Sequence, residues 1–186
     1  MSAVPQRRRG GRDQLLAVAL RLFARDGIQA TSLQGIADEA GVTKAGLYYH
    51  YKTKDEIVLE VLEPLLDALP AVTRRAEAHR TRAARVDEIL GGLIEIALHE
   101  HSGFVVLMQD PYLTRLLGQQ ESMRQWWDET SALMLGPDPD PQTRIGLAMF
   151  ISGLVGASRD PAMADLDDRT RRQTLLECGR RLLQRD

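Results

Sequence analysis

The sequence predicts an all-α protein: an N-terminal three-helix head followed by a larger C-terminal helical body, about nine helices in all. Three observations predict it. Apolar residues recur at three- and four-residue spacing through nearly the whole chain. Capping residues and glycines stand where those runs begin and end. No stretch alternates with the period of two that a half-buried strand needs, and no repeat or long heptad run appears.

Taken in order, Arg7, Arg8, Arg9 and Arg12 form a polar arm. It suits either contact with phosphates or a minor groove, or a solubilising tail. Gln14 to Asp26 is the first helix. Ser32 is placed to N-cap the second, which buries Ile36, Ala37 and Ala40 on one face. Gly41 sits where a left-handed backbone is cheap, and Val42 fills the angle that follows. Thr43 caps a third helix anchored by Leu47. This is the anatomy of a helix-turn-helix whose second helix enters a major groove, so DNA is the expected partner.

Thr53 offers a cap for the next helix, Asp55 to about Arg80, with Ile57, Val58, Val61, Leu62, Leu65, Leu66 and Leu69 at helical spacing. Pro64 and Pro70 lie inside it and predict a kink or a break. Val86 to His99 follows, then a short helix Gly103 to Gln109 capped by Ser102. Beyond Asp110-Pro111 come Tyr112 to Leu117 and Gln119 to Leu135. Gly136 to Pro141, G-P-D-P-D-P, reads as a stiff extended loop. Two last helices run from about Gln142 to Arg159 and from Asp167 to Gln184.

Charge separates the two parts. Residues 1–54 carry nine Lys/Arg against four Asp/Glu, whereas the remainder carries fifteen against twenty-two, so a net +5 head precedes a net −7 body. A basic end on an acidic body fits an anionic polymer bound at one end only. The expected division is 1–54 for the head and 55–186 for the body. One cysteine, Cys178, excludes an internal disulfide framework and fits a reducing cytoplasm; it reads as helix packing, with a redox role as the alternative. The basic start is not followed by an apolar stretch, and no apolar run reaches the roughly 18–20 residues needed to span a bilayer. A cytoplasmic protein with no membrane partner is expected.

The second helix of the motif carries its chemistry outward. Lys44 lies in its first turn, and Ala45 and Gly46 are small enough for close approach. Tyr48, Tyr49 and His50 supply groups for phosphates, thymine methyls or base edges, although tyrosines at this spacing also serve as half-buried packing. Lys54, opening the next helix, could hold a phosphate with the adjacent backbone N–H groups.

The run from Ser32 through Ile36, Ala37, Ala40, Gly41, Val42, Thr43, Leu47, Tyr48, His50 and Tyr51 to Lys54 resembles the tetracycline-repressor (TetR) family of transcriptional regulators. The preceding Ala19, Leu22, Phe23 and Gly27 match the family's first helix. The resemblance covers roughly the first third of the chain. Tyr51 stands where many relatives carry phenylalanine, and its hydroxyl is expected at the surface. By this resemblance Ser32, Gln34, Thr43, Lys44, Tyr48, Tyr49, His50 and Lys54 are DNA contacts, with Gln34 bearing on operator choice. It further implies a repressor that a small effector releases.

In the body, the helix after the proline loop is small and apolar along one side. Ile145, Met149, Ser152, Gly153 and Gly156, with Leu175, Leu176, Gly179, Leu182 and Leu183 of the last helix, suit a four-helix interface between two copies. Packing within one chain is the alternative. A dimer also follows from the DNA end, because one short recognition helix reads too few base pairs alone. Candidate walls of a pocket for a largely apolar effector are Phe104, Met108, Tyr112, Leu116, Met123, Trp126, Trp127, Met149 and Phe150. Trp126 and Trp127 point differently on a helix, so at most one should face it.

Glu95 and His99 share a helix face, but with Glu100 and His101 they make no convincing metal site. No phosphate-cradling glycine loop, nucleophile elbow or paired-cysteine motif occurs, so no cofactor, metal or catalytic residue is expected. The rival readings are a helical small-molecule enzyme with a DNA-binding appendage and a ligand-free DNA-binding or protein-interaction module.

Overall fold

A computed structural model describes residues 7–98, 107–108, 110–157, 160–163 and 165–183, with side chains from residue 11 onward. Among them are nine α-helices and no strand: α1 (Arg7–Asp26), α2 (Leu33–Glu39), α3 (Lys44–His50), α4 (Lys54–Glu77), α5 (Arg82–Leu98), α6 (Pro111–Gly118), α7 (Glu121–Leu135), α8 (Pro141–Ala157) and α9 (Asp168–Leu183). A single 3-10 turn, Pro161–Met163, precedes α9. No described helix is long and apolar enough to cross a membrane. The expected helix Gly103 to Gln109 and its Ser102 cap lie outside the described residues, apart from Leu107 and Met108.

Two apolar cores share α4. The first gathers Leu15, Ala19, Phe23, Ile36, Leu47 and Ile57, and takes in Leu113 and Leu116 from α6. The second holds Val72, Ile89, Leu90, Ile94, Met134 and Phe150. The head's core therefore runs past residue 54 to Leu62, and Leu65 packs against both clusters. Each buried aliphatic side chain contributes roughly 1.5–3 kcal/mol, so α4 is the member that neither core can lose.

Several elements depart from expectation. Helix α1 begins at Arg7, not Gln14, so Arg12 belongs to a helix and not to a loose arm. Its guanidinium donates to the Tyr51 hydroxyl (3.1 Å) and to Glu60 (2.6 Å), which draws the start of α1 onto α4. Tyr51 is accordingly 2% exposed, and its hydroxyl is an interior acceptor, not a surface group. Desolvation pushes the Tyr51 phenol up to about 12.

Helix α4 does not break at Pro64 or Pro70; it is continuous over 24 residues. Each proline forgoes one backbone hydrogen bond, and apolar burial on both sides of the helix offsets that loss. Pro141 is the first residue of α8 and not the end of the loop. Asp140 makes that start by accepting from the backbone N–H groups of Gln142 (2.8 Å) and Thr143 (3.0 Å). The bond from the Thr143 hydroxyl, with these two, holds the Asp140 carboxyl below its usual range. Asp167 caps α9 through Thr170 in the same way.

Close approach of α8 to α9 occurs inside the chain. A Cβ on Gly146 would lie 2.6 Å from the Leu182 carbonyl oxygen, and one on Gly179 would lie 2.9 Å from both Leu90 and Phe150.

Candidate nucleic-acid interface and body cavity

The head folds as its side chains dictate. Ser32 Oγ accepts from the Gly35 amide (2.9 Å) and starts α2; Thr43 Oγ1 accepts from the Gly46 amide (3.1 Å) and starts α3. Gly41, at φ +66°, makes the turn between them in the left-handed region. Leu47 is fully buried and fixes the roll of α3.

That roll leaves Lys44, Ala45, Tyr48, Tyr49 and His50 exposed, while Gly46 is half-buried against Thr43. Tyr49 is 74% exposed and Tyr48 36%. The Lys44 ammonium lies 5.9 Å from the Tyr48 ring centroid, and His50 meets Tyr49 edge-on at 5.1 Å. Ser32, Gln34 and Thr43 are exposed beside this face, with Gln34 donating to Asp38 (2.6 Å). Lys52, which the sequence did not single out, donates to the Tyr48 carbonyl and closes the end of α3.

Lys54 is turned elsewhere. Its ammonium donates to the carbonyls of Ile28 (2.7 Å), Gln29 (3.1 Å) and Thr31 (3.1 Å), so its three protons are spent on the α1–α2 loop. This corrects the expectation of an ammonium free for phosphate; burial also lowers its pKa, against Asp55 and Asp110. Thr53 does cap α4, accepting from the Glu56 amide.

The same loop is held from the body. Asp110 Oδ2 accepts from the Ile28 amide (2.8 Å) while Oδ1 accepts from the Tyr112 amide (2.8 Å), so one carboxylate caps α6 and ties down the head loop. The Tyr112 hydroxyl donates to Asp55, which raises the phenol's pKa. Lys54 and Arg115 lie 5.3 and 4.9 Å from the Tyr112 ring centroid. Nothing in the sequence signalled this junction, because its partners are 57 to 82 positions apart.

A cavity of about 880 Å³ opens between α4, α5, α6, α7 and α8. Of the expected wall residues, Met108, Met123, Trp126 and Trp127 line it. Both tryptophans do so, contrary to expectation: Trp126 stands half-buried in the wall and Trp127 at the mouth. Trp126 donates its indole N–H to Thr73 (2.9 Å), which in turn shares a buried hydrogen bond with Thr130 (2.8 Å).

The other five candidates lie elsewhere or outside the described residues. Tyr112 and Leu116 sit on the head side of α6, whose cavity stripe is Leu113, Thr114, Leu117 and Gly118. Met149 is 58% exposed on the far face of α8, and Phe150 is buried against Gly179. Phe104 lies outside the described residues. The sequence missed the wall that α4 supplies through Pro64, Leu65 and Leu69, since these read as ordinary core.

The residues proposed for pairing also divide. Ile145 (59% exposed), Met149, Ser152 and Gly153 form an outward stripe on α8, and Gly156 has open space beside it. Gly179 and Leu183 instead face their own chain's core, because α9 packs on α5 and α8 along that side. Leu175, Leu176 and Leu182 are half-buried against the same core. Glu95 pairs with Arg172 (2.8 Å); His99, Glu100 and His101 lie outside the described residues. Among the described residues no group of three or more potential metal ligands occurs. Cys178 is exposed on α9 and not packed in the core.

Comparison with known proteins places this geometry. Residues 15–61 match the family model for bacterial regulatory proteins of the tetR family. The transcriptional repressor KstR2 of Mycolicibacterium smegmatis is 36% identical over 102 residues, covering 53% of this chain and 48% of that protein. The transcriptional activator FasR of the same organism is 32% identical over 104 residues, covering 55% and 48%. Among solved structures, NalD of Pseudomonas aeruginosa, the secondary repressor of the MexAB-OprM multidrug efflux pump, superposes with a TM-score of 0.71 at 25% identity. That match covers 96% of this chain and 98% of NalD. The chain spans about half the length of the curated relatives it matches.

Proposed function

The chain belongs to the tetR family of bacterial regulatory proteins, and on that premise we propose that it is a ligand-responsive, DNA-binding transcriptional regulator acting as a repressor. Residues 1–54 read DNA; residues 55–186 bind an effector and pair two copies. The observation that carries the reading is the uncovered polar-aromatic face of α3, where Lys44, Tyr48, Tyr49 and His50 stand together on a helix whose other side is locked by Leu47. A lysine and two tyrosines left bare on a seven-residue helix suit contact with a duplex groove.

Two copies, joined through the outward stripe of α8 with Ile145, Met149 and Gly153, would present two such helices to a pseudo-palindromic operator. The effector is a small, largely apolar molecule held in the body cavity. Helix α6 lines that cavity with Leu113 and Leu117, and it is bonded to the α1–α2 loop through Asp110 and to the start of α4 through Tyr112, so a shift of α6 reaches the loop that leads into α2. An effector favouring a conformation whose heads no longer match the operator spacing lowers DNA affinity by population shift. The place of action is the cytoplasm, and the relatives' regulatory names speak for regulation over catalysis.

The test is an electrophoretic mobility shift on the promoter next to the protein's own gene. Wild type is expected to retard the fragment at moderate salt. Lys44→Ala should weaken binding by about 1–3 kcal/mol without lowering the melting temperature. A well-folded protein that shows no preference for any genomic fragment would overturn the proposal. A promoter–reporter fusion decides between repression and the activation recorded for FasR.

A further inference from the structure

We propose that the body cavity takes a single-headed amphiphile, inserted hydrocarbon end first, with its one polar group left at the mouth between α6 and α7. The inference rests on the reading of this cavity as the effector site and names the chemistry that site selects.

The argument lies in how polarity is distributed with depth. The most deeply buried wall residues are Leu69, Leu93, Leu113 and Leu154, every one aliphatic. The polar residues among the described wall, Thr114, Arg124 and Asp128, are all exposed, as is the Trp127 ring beside them. Among the described residues between floor and mouth, the wall has one side-chain N–H, that of Trp126, and it is already donated to Thr73. Thr73 is itself engaged with Thr130. Among the described residues, a ligand hydroxyl, amide or charge carried to the floor would therefore exchange water for the aliphatic side chains of Leu69, Leu93, Leu113 and Leu154, at a desolvation cost that none of them offsets. A saturated chain or fused hydrocarbon meets no such penalty and gains from every methylene buried.

The mouth is the opposite environment. Arg124 is ion-paired with Glu121 on the surface, and Asp128 stands one turn further along the same helix face. Both signs of charge are available there beside water, so a head group of either sign is solvated without entering the cavity. Sugars, nucleotides and other molecules polar along their whole length fail this distribution; a molecule polar at one end only satisfies it.

Both tryptophans of the chain line the cavity, which makes their emission a direct reporter of occupancy. The full-length protein would be titrated, with no DNA present, with octanoate, decanoate and dodecanoate below their micelle-forming concentrations. Dodecanedioate, dodecyltrimethylammonium and sucrose complete the set. A saturable emission change that tightens about fourfold per added methylene is expected along the carboxylate series. Dodecanedioate, which must bury a second carboxylate or leave the floor empty, should bind at least about a hundredfold more weakly than dodecanoate.

Preference for the carboxylate over the trimethylammonium places the head group beside Arg124, and the reverse preference places it beside Asp128. Either result supports insertion by the hydrocarbon end. Equal affinity for dodecanoate and dodecanedioate, independence from chain length, binding of sucrose, or no response to any alkyl probe would overturn the proposal. Because operator binding plays no part in the titration, its failure is separate from failure of the regulatory reading.

Discussion

Replacing Lys54 by methionine tests the largest revision that the structure makes to the head. Methionine keeps the length of the stem and removes the ammonium. Three hydrogen bonds are lost, and two of them, to the Ile28 and Thr31 carbonyls, are partly buried. A hydrogen bond to a charged group is worth about 1.5–3 kcal/mol, but these share one cation and the bond to Gln29 is exposed. A loss of about 2–3 kcal/mol in total is reasonable on that basis. In a chain of this size it lowers the melting temperature by roughly 4–12 °C. The assay pairs thermal unfolding with operator affinity measured over a range of salt. Affinity should fall because the loop leading into α2 is released, while the dependence of log affinity on log salt stays unchanged. A phosphate contact would behave in the opposite way: removing it reduces that slope by about 0.9 and leaves the melting temperature alone. An unmoved melting temperature with a shallower slope would refute the assignment of Lys54 to the loop.

Other substitutions have equally definite outcomes. Gly146→Ala drives a methyl into the Leu182 backbone and should cost about 1–3 kcal/mol in urea unfolding, whereas Gly153→Ala meets open space within the chain. If α8 is the pairing surface, sedimentation equilibrium will show Gly153→Ala weakening self-association despite its gain in helix propensity. Tyr51 has a raised pKa in the folded chain, so its stabilising effect is fully present below the ordinary tyrosine value of 10 and is lost as pH climbs toward about 12. Tyr51→Phe should flatten that part of the alkaline unfolding curve and release Arg12 from its hydroxyl partner. Asp110→Ala removes two acceptors at once, and hydrogen exchange at the Ile28 and Tyr112 amides should accelerate together.

The head was legible because its determinants are local. Ser32, Thr43 and Thr53 cap within three residues of themselves, and Gly41 advertises its own backbone. Features set by partners far along the chain were not legible. A lysine at the start of a helix has the same sequence signature whether its ammonium faces phosphate or doubles back onto a loop 23 to 26 residues earlier. Likewise Gly153 and Gly179 both read as sites of close helix packing. Only the roll of α8 and α9 decides that the first faces outward and the second faces Leu90 and Phe150. The cavity posed the same difficulty: Leu65 and Leu69 have the spacing of core residues, and a wall differs from a core only in what is missing opposite it. Trp126 and Trp127 are successive residues on a helix, and the cavity's extension from wall to mouth brings both to it.

The two-oxygen role of Asp110 has one last implication. Because a single carboxylate terminates one helix and tethers a turn 82 residues away, the firmness of that helix and the order of that turn cannot be adjusted separately. Lengthening the side chain to glutamate, or neutralising it to asparagine, alters both settings with one codon. Sensitivity and resting grip would then drift together among natural variants, and a change at this position would need a compensating one in the Ile28 turn to part them.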